Sequence, residues 1–352
     1  MDLKQQYALD DRQRKRLEQV YEGYKRLSES PENCVPMLSV VVDGYPCLRG
    51  SYYQMTENPM QMLEAQLSAY TQHLLVEDDA VPTVRVNFGT GQPASAFGCA
   101  LGMPTDDVPI AVSHAVKKTE DIYQLKVPAL SNGIYPKVAQ FTEVFRENLP
   151  EGMFIQHPDI QSAFNTAHLV RGNDILLDFY DDPEAVDFLL DVITDFMIPL
   201  TRHLKSMIEE PFEGWFFDWG AMWKGAARIS NCSTHMISPE LYKKHILGRD
   251  LRFLKELGGG RIHYCGAFPA VISSFMENQY SNGLDVDSLY HDAWSIKSRN
   301  DVVIYHDFSL DSEMGRKIMK GELPKRNVIL RTNVKSVEEG KEVYKRFKLL
   351  YQ

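Results

Sequence analysis

Gly258-Gly259-Gly260-Arg261-Ile262-His263-Tyr264-Cys265-Gly266 is the stretch on which the reading of this chain turns. Three glycines release the chain from whatever precedes them, and Arg-Ile-His-Tyr-Cys then alternates as a short strand does. Successive side chains of a strand point to opposite faces, so His263 and Cys265 share one face and Tyr264 points away from it. An imidazole and a thiol aimed at one point form a donor pair that zinc accepts, and a zinc-bound sulfur stays a thiolate at neutral pH. His263 and Cys265 are therefore the candidate metal ligands.

Outward from this stretch, the pattern is one of short apolar strands and amphipathic helices. Strands are expected near residues 81–87, 153–157, 215–218, 261–265, 284–289, 302–306 and 328–331. The helices between them carry explicit start signals. Asp182-Pro183-Glu184 opens a long amphipathic helix, with Asp as cap and Pro at the first helical position. Ser238-Pro239-Glu240 repeats the device, and Ser336-x-x-Glu339 is a capping box before the last helix. Strand–helix alternation predicts a parallel α/β structure. Seven strands plus one unread fit a (β/α)8 barrel better than an open sheet. The expected organisation is an N-terminal helical or irregular extension over residues 1–80, packed on a barrel that occupies 81–352.

A barrel of this kind carries its chemistry at the C-terminal ends of its strands. Those ends hold Asn87, His157, Asp218, His263 with Cys265, His306-Asp307, and Arg331 with Asn333. Asp218, His306 and Asp307 are the candidate acid/base groups. Asn87, His157, Arg331 and Asn333 are candidate substrate contacts. Asp218-Trp219-Gly220-Ala221-Met222-Trp223 sets a carboxylate beside indoles and a thioether, which adds Trp219 and Met222 as the walls of a pocket for a flat or extended organic ligand. Asn87-Phe88-Gly89-Thr90-Gly91-Gln92-Pro93 follows the first of these strands as a glycine-rich loop that lets a ligand approach the backbone. It is neither a Walker loop nor a dinucleotide fingerprint. There is no Gly-x-Ser-x-Gly elbow.

Composition narrows the classes. The chain has 352 residues, 44% hydrophobic and 24% charged, as ordinary soluble globular proteins do. A net charge of −10 argues against nucleic acid or an anionic membrane as the main partner. No apolar run approaches the ~18 residues of a membrane span, and Met-Asp-Leu-Lys-Gln-Gln has no apolar signal region. The five cysteines (Cys34, Cys47, Cys99, Cys232, Cys265) are odd in number and far apart, which fits free thiols in a reducing cytoplasm rather than a disulfide framework.

The order of elements from about Phe154 onward resembles the uroporphyrinogen decarboxylase superfamily, and within it the corrinoid-linked methyltransferases. The residues that carry the resemblance are Gln156-His157-Pro158 through Phe164 and Gly172, Asp181-Asp182-Pro183-Glu184, Asp218-Trp219-Gly220, Ser238-Pro239-Glu240, Ile262-His263-Tyr264-Cys265-Gly266, and Gly283-Leu284-Asp285-Val286-Asp287. The resemblance implies zinc at His263 and Cys265, a small acceptor thiol as substrate, and a partner protein that carries the corrinoid. Its third zinc ligand is a cysteine after the last barrel strand. Here Leu330-Arg331-Thr332-Asn333 stands in that place and no cysteine follows Cys265. A substitute would come from His306, Asp307, Asp218 or Cys232, with His306 favoured because it ends a nearby strand. The decarboxylase itself matches less well, since its arginine-rich segment is absent from residues 30–60 and Thr332-Asn333 occupies the neighbourhood of its C-terminal histidine. Two other readings stand beside methyl transfer: a metal-independent decarboxylase or lyase of this fold with Asp218 or His306 as acid/base, and a ligand-binding barrel without catalysis. A homodimer is an expectation from fold alone.

Overall fold

The computed structural model describes residues 2–48 and 50–351. Eight parallel strands run in chain order around a barrel: β1 (Met37–Val42), β2 (Thr83–Arg85), β3 (Phe154–Gln156), β4 (Ala227–Ser230), β5 (Gly260–Tyr264), β6 (Ser281–Val286), β7 (Val303–Asp307) and β8 (Val328–Val334). A continuous ladder joins β4 through β8 and then β1. β2 and β3 pair with each other in parallel. Two seams remain. A bridge between Gln161 and Ser230 closes one, beyond the end of β3. The Asp79 N–H donates to the Leu38 carbonyl at 3.0 Å across the other.

Two strand expectations are corrected here. Met37–Val42 lies within the segment assigned to an extension, yet it is the barrel's first strand and pairs along its whole length with β8. The division at residue 80 therefore does not separate an extension from a barrel. Conversely, Trp215–Asp218 is not a staved strand of the barrel. It forms an antiparallel hairpin with Ala221–Lys224. The helix Asp11–Glu29 packs against that hairpin, and the Gly220 carbonyl accepts the Val81 N–H at 2.9 Å near the start of β2. The hairpin thus plugs the N-terminal end, and Trp223 fills the space that the missing side chain of Gly283 leaves: a Cβ on Gly283 would sit 2.6 Å from the indole.

Helix signals in the sequence correspond to real caps. Asp182 accepts the Ala185 N–H at 3.0 Å and opens the helix Pro183–Ser206. Ser336 accepts the Glu339 N–H at 3.1 Å before the helix Val337–Tyr351. The outward faces of β1 and β8 pack under that last helix in an apolar layer of their own, which includes Leu38, Val40, Leu330 and Phe347. Among the described residues, no helix is long and apolar enough to cross a membrane.

Candidate metal centre

Register decides which residues meet at the barrel mouth. On β5, Arg261 and His263 face inward, while Tyr264 faces outward against Phe275, with ring centroids 5.2 Å apart. Ser230, the last residue of β4, pairs with His263. Two residues further along each chain are Cys232 and Cys265, and their Sγ atoms lie 2.7 Å apart. The ligand atoms of Cys232, His263 and Cys265 all fall within 4.8 Å of one another. Cys265 is exposed and Cys232 half-buried, so the pair sits at the border between the barrel interior and the cleft.

The third member of the cluster is thus Cys232, and His306 lies outside it. Alternation along β7 puts Tyr305 and Asp307 inward, their side chains 3.2 Å apart, and turns His306 outward. Its ring packs on Trp294 with centroids 5.7 Å apart, in the layer beneath the helices. Cys232 is one of the four substitutes the sequence offers, but nothing there ranks it above His306, because β4 is not recognisable as a strand. Ala227-Arg228-Ile229-Ser230 alternates over four residues only, and its length gave no signal.

Electrostatics divide the three groups. Burial works against a charged His263, but the Asp285 carboxylate at 2.8 Å from Nδ1 and the neighbouring Cys232 outweigh it and push His263 up to about 9. The Cys265 thiol donates to Cys232, and with His263 this overcomes burial and holds Cys232 well below the ordinary thiol range. Cys265, as donor beside a thiolate, is pushed up. These directions favour a charged His263, an ionised Cys232 and a protonated Cys265. Asp285 in turn is held low: burial raises it, but His263 and Arg261 prevail.

Behind the centre, charged inward residues alternate around the barrel floor. Arg261 is fully buried and holds Asp218 through Nε at 3.0 Å and Asp285 through Nη1 at 2.9 Å. Arg228 pairs with Asp159. Arg85 differs from both. Its guanidinium lies over the Trp219 ring at 5.2 Å and its contact with Asp159 is 3.9 Å, too long for a hydrogen bond. Arg85 Nη1 is buried and has no hydrogen-bond partner among the described residues.

These walls enclose a cavity of about 580 Å³ lined by Arg85, Asn87, Trp219, Arg228, Cys232, His263 and Cys265, among others. Of the residues expected from sequence, it brings together His263, Cys265, Asn87 and Trp219. Asp218 lies under the floor, fully buried and engaged by Arg261. His157 is buried against Phe216, with centroids 5.6 Å apart, and its Nδ1 donates to the Pro158 carbonyl at 2.7 Å. Met222 is buried in the plug hairpin. Asp307, Arg331 and Asn333 line a separate cavity of about 610 Å³ together with Asp43. Asn333 Nδ2 donates to Asp43 Oδ1 there at 2.7 Å. Arg85, Arg228, Asp159 and Asp285 escaped the sequence reading, although period-two alternation of Arg85 with Asn87 was a usable signal.

The barrel and its inward-facing centre define a class, and comparison with known proteins identifies it. The chain matches the family model described as Uroporphyrinogen decarboxylase (URO-D) over residues 47–305, and it belongs to that family. Among solved structures it shares its fold with a methyltransferase from Methanosarcina mazei, at a TM-score of 0.65 and 18% identity, covering 94% of this chain and 98% of the other. No curated protein matches the chain.

Proposed function

We propose that this URO-D family barrel is a methyltransferase that moves a methyl group between a corrinoid carried by a partner protein and a small acceptor thiol, with zinc held by Cys232, His263 and Cys265. The observation that carries this reading is the convergence of two sulfurs and one imidazole nitrogen within 4.8 Å at the border of the cleft. The donor set fits zinc in kind, and three protein ligands are the pattern of catalytic rather than structural zinc sites. Bound there, zinc would keep an acceptor thiol as its thiolate at neutral pH while leaving the sulfur nucleophilic.

The chain's own residues supply the rest. Asp285 accepts a hydrogen bond from the Nδ1–H of His263, which leaves Nε2 to face the thiols. Cys232 as thiolate provides a ligand already deprotonated. Trp219 and Asn87 line the chamber in which the acceptor would lie, and Arg85 adds buried positive charge to its wall. The lyase reading is weaker because Asp218 is locked in an ion pair and His306 faces away from the cleft.

Metal analysis tests the assignment. Protein purified without chelator is expected to hold zinc near one equivalent, and Cys265→Ala and Cys232→Ser to lose it. Thiol-dependent demethylation of methylcobalamin, with 2-mercaptoethanol as acceptor, should then follow zinc content. A metal-free wild-type protein would overturn the proposal.

A further inference from the structure

The loop that carries Cys232 is held by buried polar groups that the chemistry above does not use. Asn231 is fully buried and ties three partners together. Its backbone N–H donates to the His263 carbonyl at 2.9 Å, which fastens the loop to β5. Its side-chain Nδ2 donates to Asp250 Oδ2 at 2.8 Å. Its carbonyl accepts the Thr234 N–H at 3.1 Å and the Thr234 hydroxyl.

Asp250 is an unusual residue for its place. It lies on the buried side of the helix Leu247–Leu257, near Phe253 and Leu254, where packing alone would favour an apolar side chain. No Lys or Arg pairs with it among the described residues; its partners are Asn231 and the Tyr242 hydroxyl, both donating to Oδ2 at 2.8 Å. An unpaired buried carboxylate costs folding free energy. The backbone is also bent to this end. Residues Tyr242–Ile246 form a π-helical turn. In continuous α-helix, residues eight apart would sit roughly 80° from each other. The wider turn removes most of that angle and puts Tyr242 and Asp250 on one face. Two costly features, a buried acid and a π turn, thus converge on the residue next to Cys232.

We infer that Asn231 and Asp250 are positioning residues that hold the Cys232 sulfur opposite His263 and Cys265, with Tyr242 fixing Asp250. The metal part of this inference rests on the function proposed above; the thiol geometry does not. Two measurements on the full chain therefore separate them. One is zinc affinity by competition with a chromogenic chelator. The other, on reduced metal-free protein, is capture of phenylarsine oxide, which needs two thiols at close range.

Asn231→Ala and Asp250→Ala are expected to weaken zinc by about 10- to 100-fold, as loss of groups that orient ligands does, and to slow arsenical capture. Asp250→Asn keeps an oxygen that accepts the Asn231 and Tyr242 donors, so it should stay close to wild type on both. Tyr242→Phe removes only a hydroxyl and should fall between; it carries the test if the alanine variants fail to fold. A lower melting temperature with unchanged zinc affinity and unchanged capture, in the alanine variants or in Tyr242→Phe, would show a purely structural role and overturn the inference. If wild-type protein takes no zinc, the proposed function fails, and arsenical capture still decides the positioning.

Discussion

His263 Nδ1 lies 2.8 Å from Asp285 Oδ2, and Arg261 Nη1 reaches the same oxygen at 2.9 Å. One carboxylate oxygen on β6 thus orients an imidazole and anchors a guanidinium, both on β5. The two residues are paired in register, Asp285 beside His263, so the contact follows from strand alignment and needs no loop to make it.

Removing that carboxylate should loosen the centre without removing a ligand. Asp285→Ala is expected to weaken zinc by about 10- to 100-fold, because the imidazole loses the partner that fixes its tautomer. Competition with a chelator reads the effect. Affinity equal to wild type would mean that His263 does not bind through Nε2.

Cysteine and histidine variants distinguish the two candidates for the third ligand. Cys232→Ser should lower zinc affinity by roughly 100-fold, since a binding free energy of order 10 kcal/mol is divided among three or four ligands. His306→Gln should leave it unchanged, because that ring faces Trp294 in the outer layer. The reverse pattern in the two titrations would refute the cluster.

The buried ion pairs beneath the cleft should make stability sensitive to the loss of one partner. Arg261→Met leaves buried Asp218 without its main cation and Asp285 with His263 alone of its two nearest, and is expected to cost about 3–5 kcal/mol. Adding Asp218→Leu should recover part of that loss. Urea denaturation measures both; a single variant within 1 kcal/mol or so of wild type would show that water reaches Asp218.

His157 predicts a stability slope on the acid side. Burial lowers it from the ordinary 6.5 to about 4, against the pull of Asp218. A depressed value means that the unfolded chain takes up the proton first. The contribution is therefore complete above pH 6.5 and is lost as pH falls toward about 4, at up to about 1.4 kcal/mol per pH unit. Asp250 acts in the opposite sense: burial raises it to about 6, so its contribution is present at low pH and lost as pH rises through that value. Melting temperatures from pH 7 to pH 4.5 should fall less steeply in His157→Gln than in wild type. Parallel curves would place the titration elsewhere.

Much of the architecture was legible in the chain. Asp182-Pro183 and Ser336-x-x-Glu339 announced helix starts through local hydrogen bonds that need no tertiary partner. Alternation through Arg261-Ile262-His263-Tyr264-Cys265 put His263 and Cys265 on one face and Tyr264 on the other, because period two is a property of the extended backbone itself. The β4 strand was not legible, because Ala227-Arg228-Ile229-Ser230 alternates over only four residues and its partner β5 lies some thirty residues on. Trp215–Asp218 reads as a strand, but that it folds back on Ala221–Lys224 instead of joining the barrel does not follow from its apolar character.

The amino-acid sequence by itself therefore determined that His263 and Cys265 share one face of β5, and which donor atoms they offer there. Only the tertiary structure decided what completes it. Cys232 meets Cys265 because Ser230 aligns with His263 in a parallel ladder, and a residue 33 positions earlier becomes a neighbour at 2.7 Å. His306, also in a strand, is turned outward by a single step of alternation. Register is a relation between strands, set by packing of the whole barrel, so it is absent from any one segment.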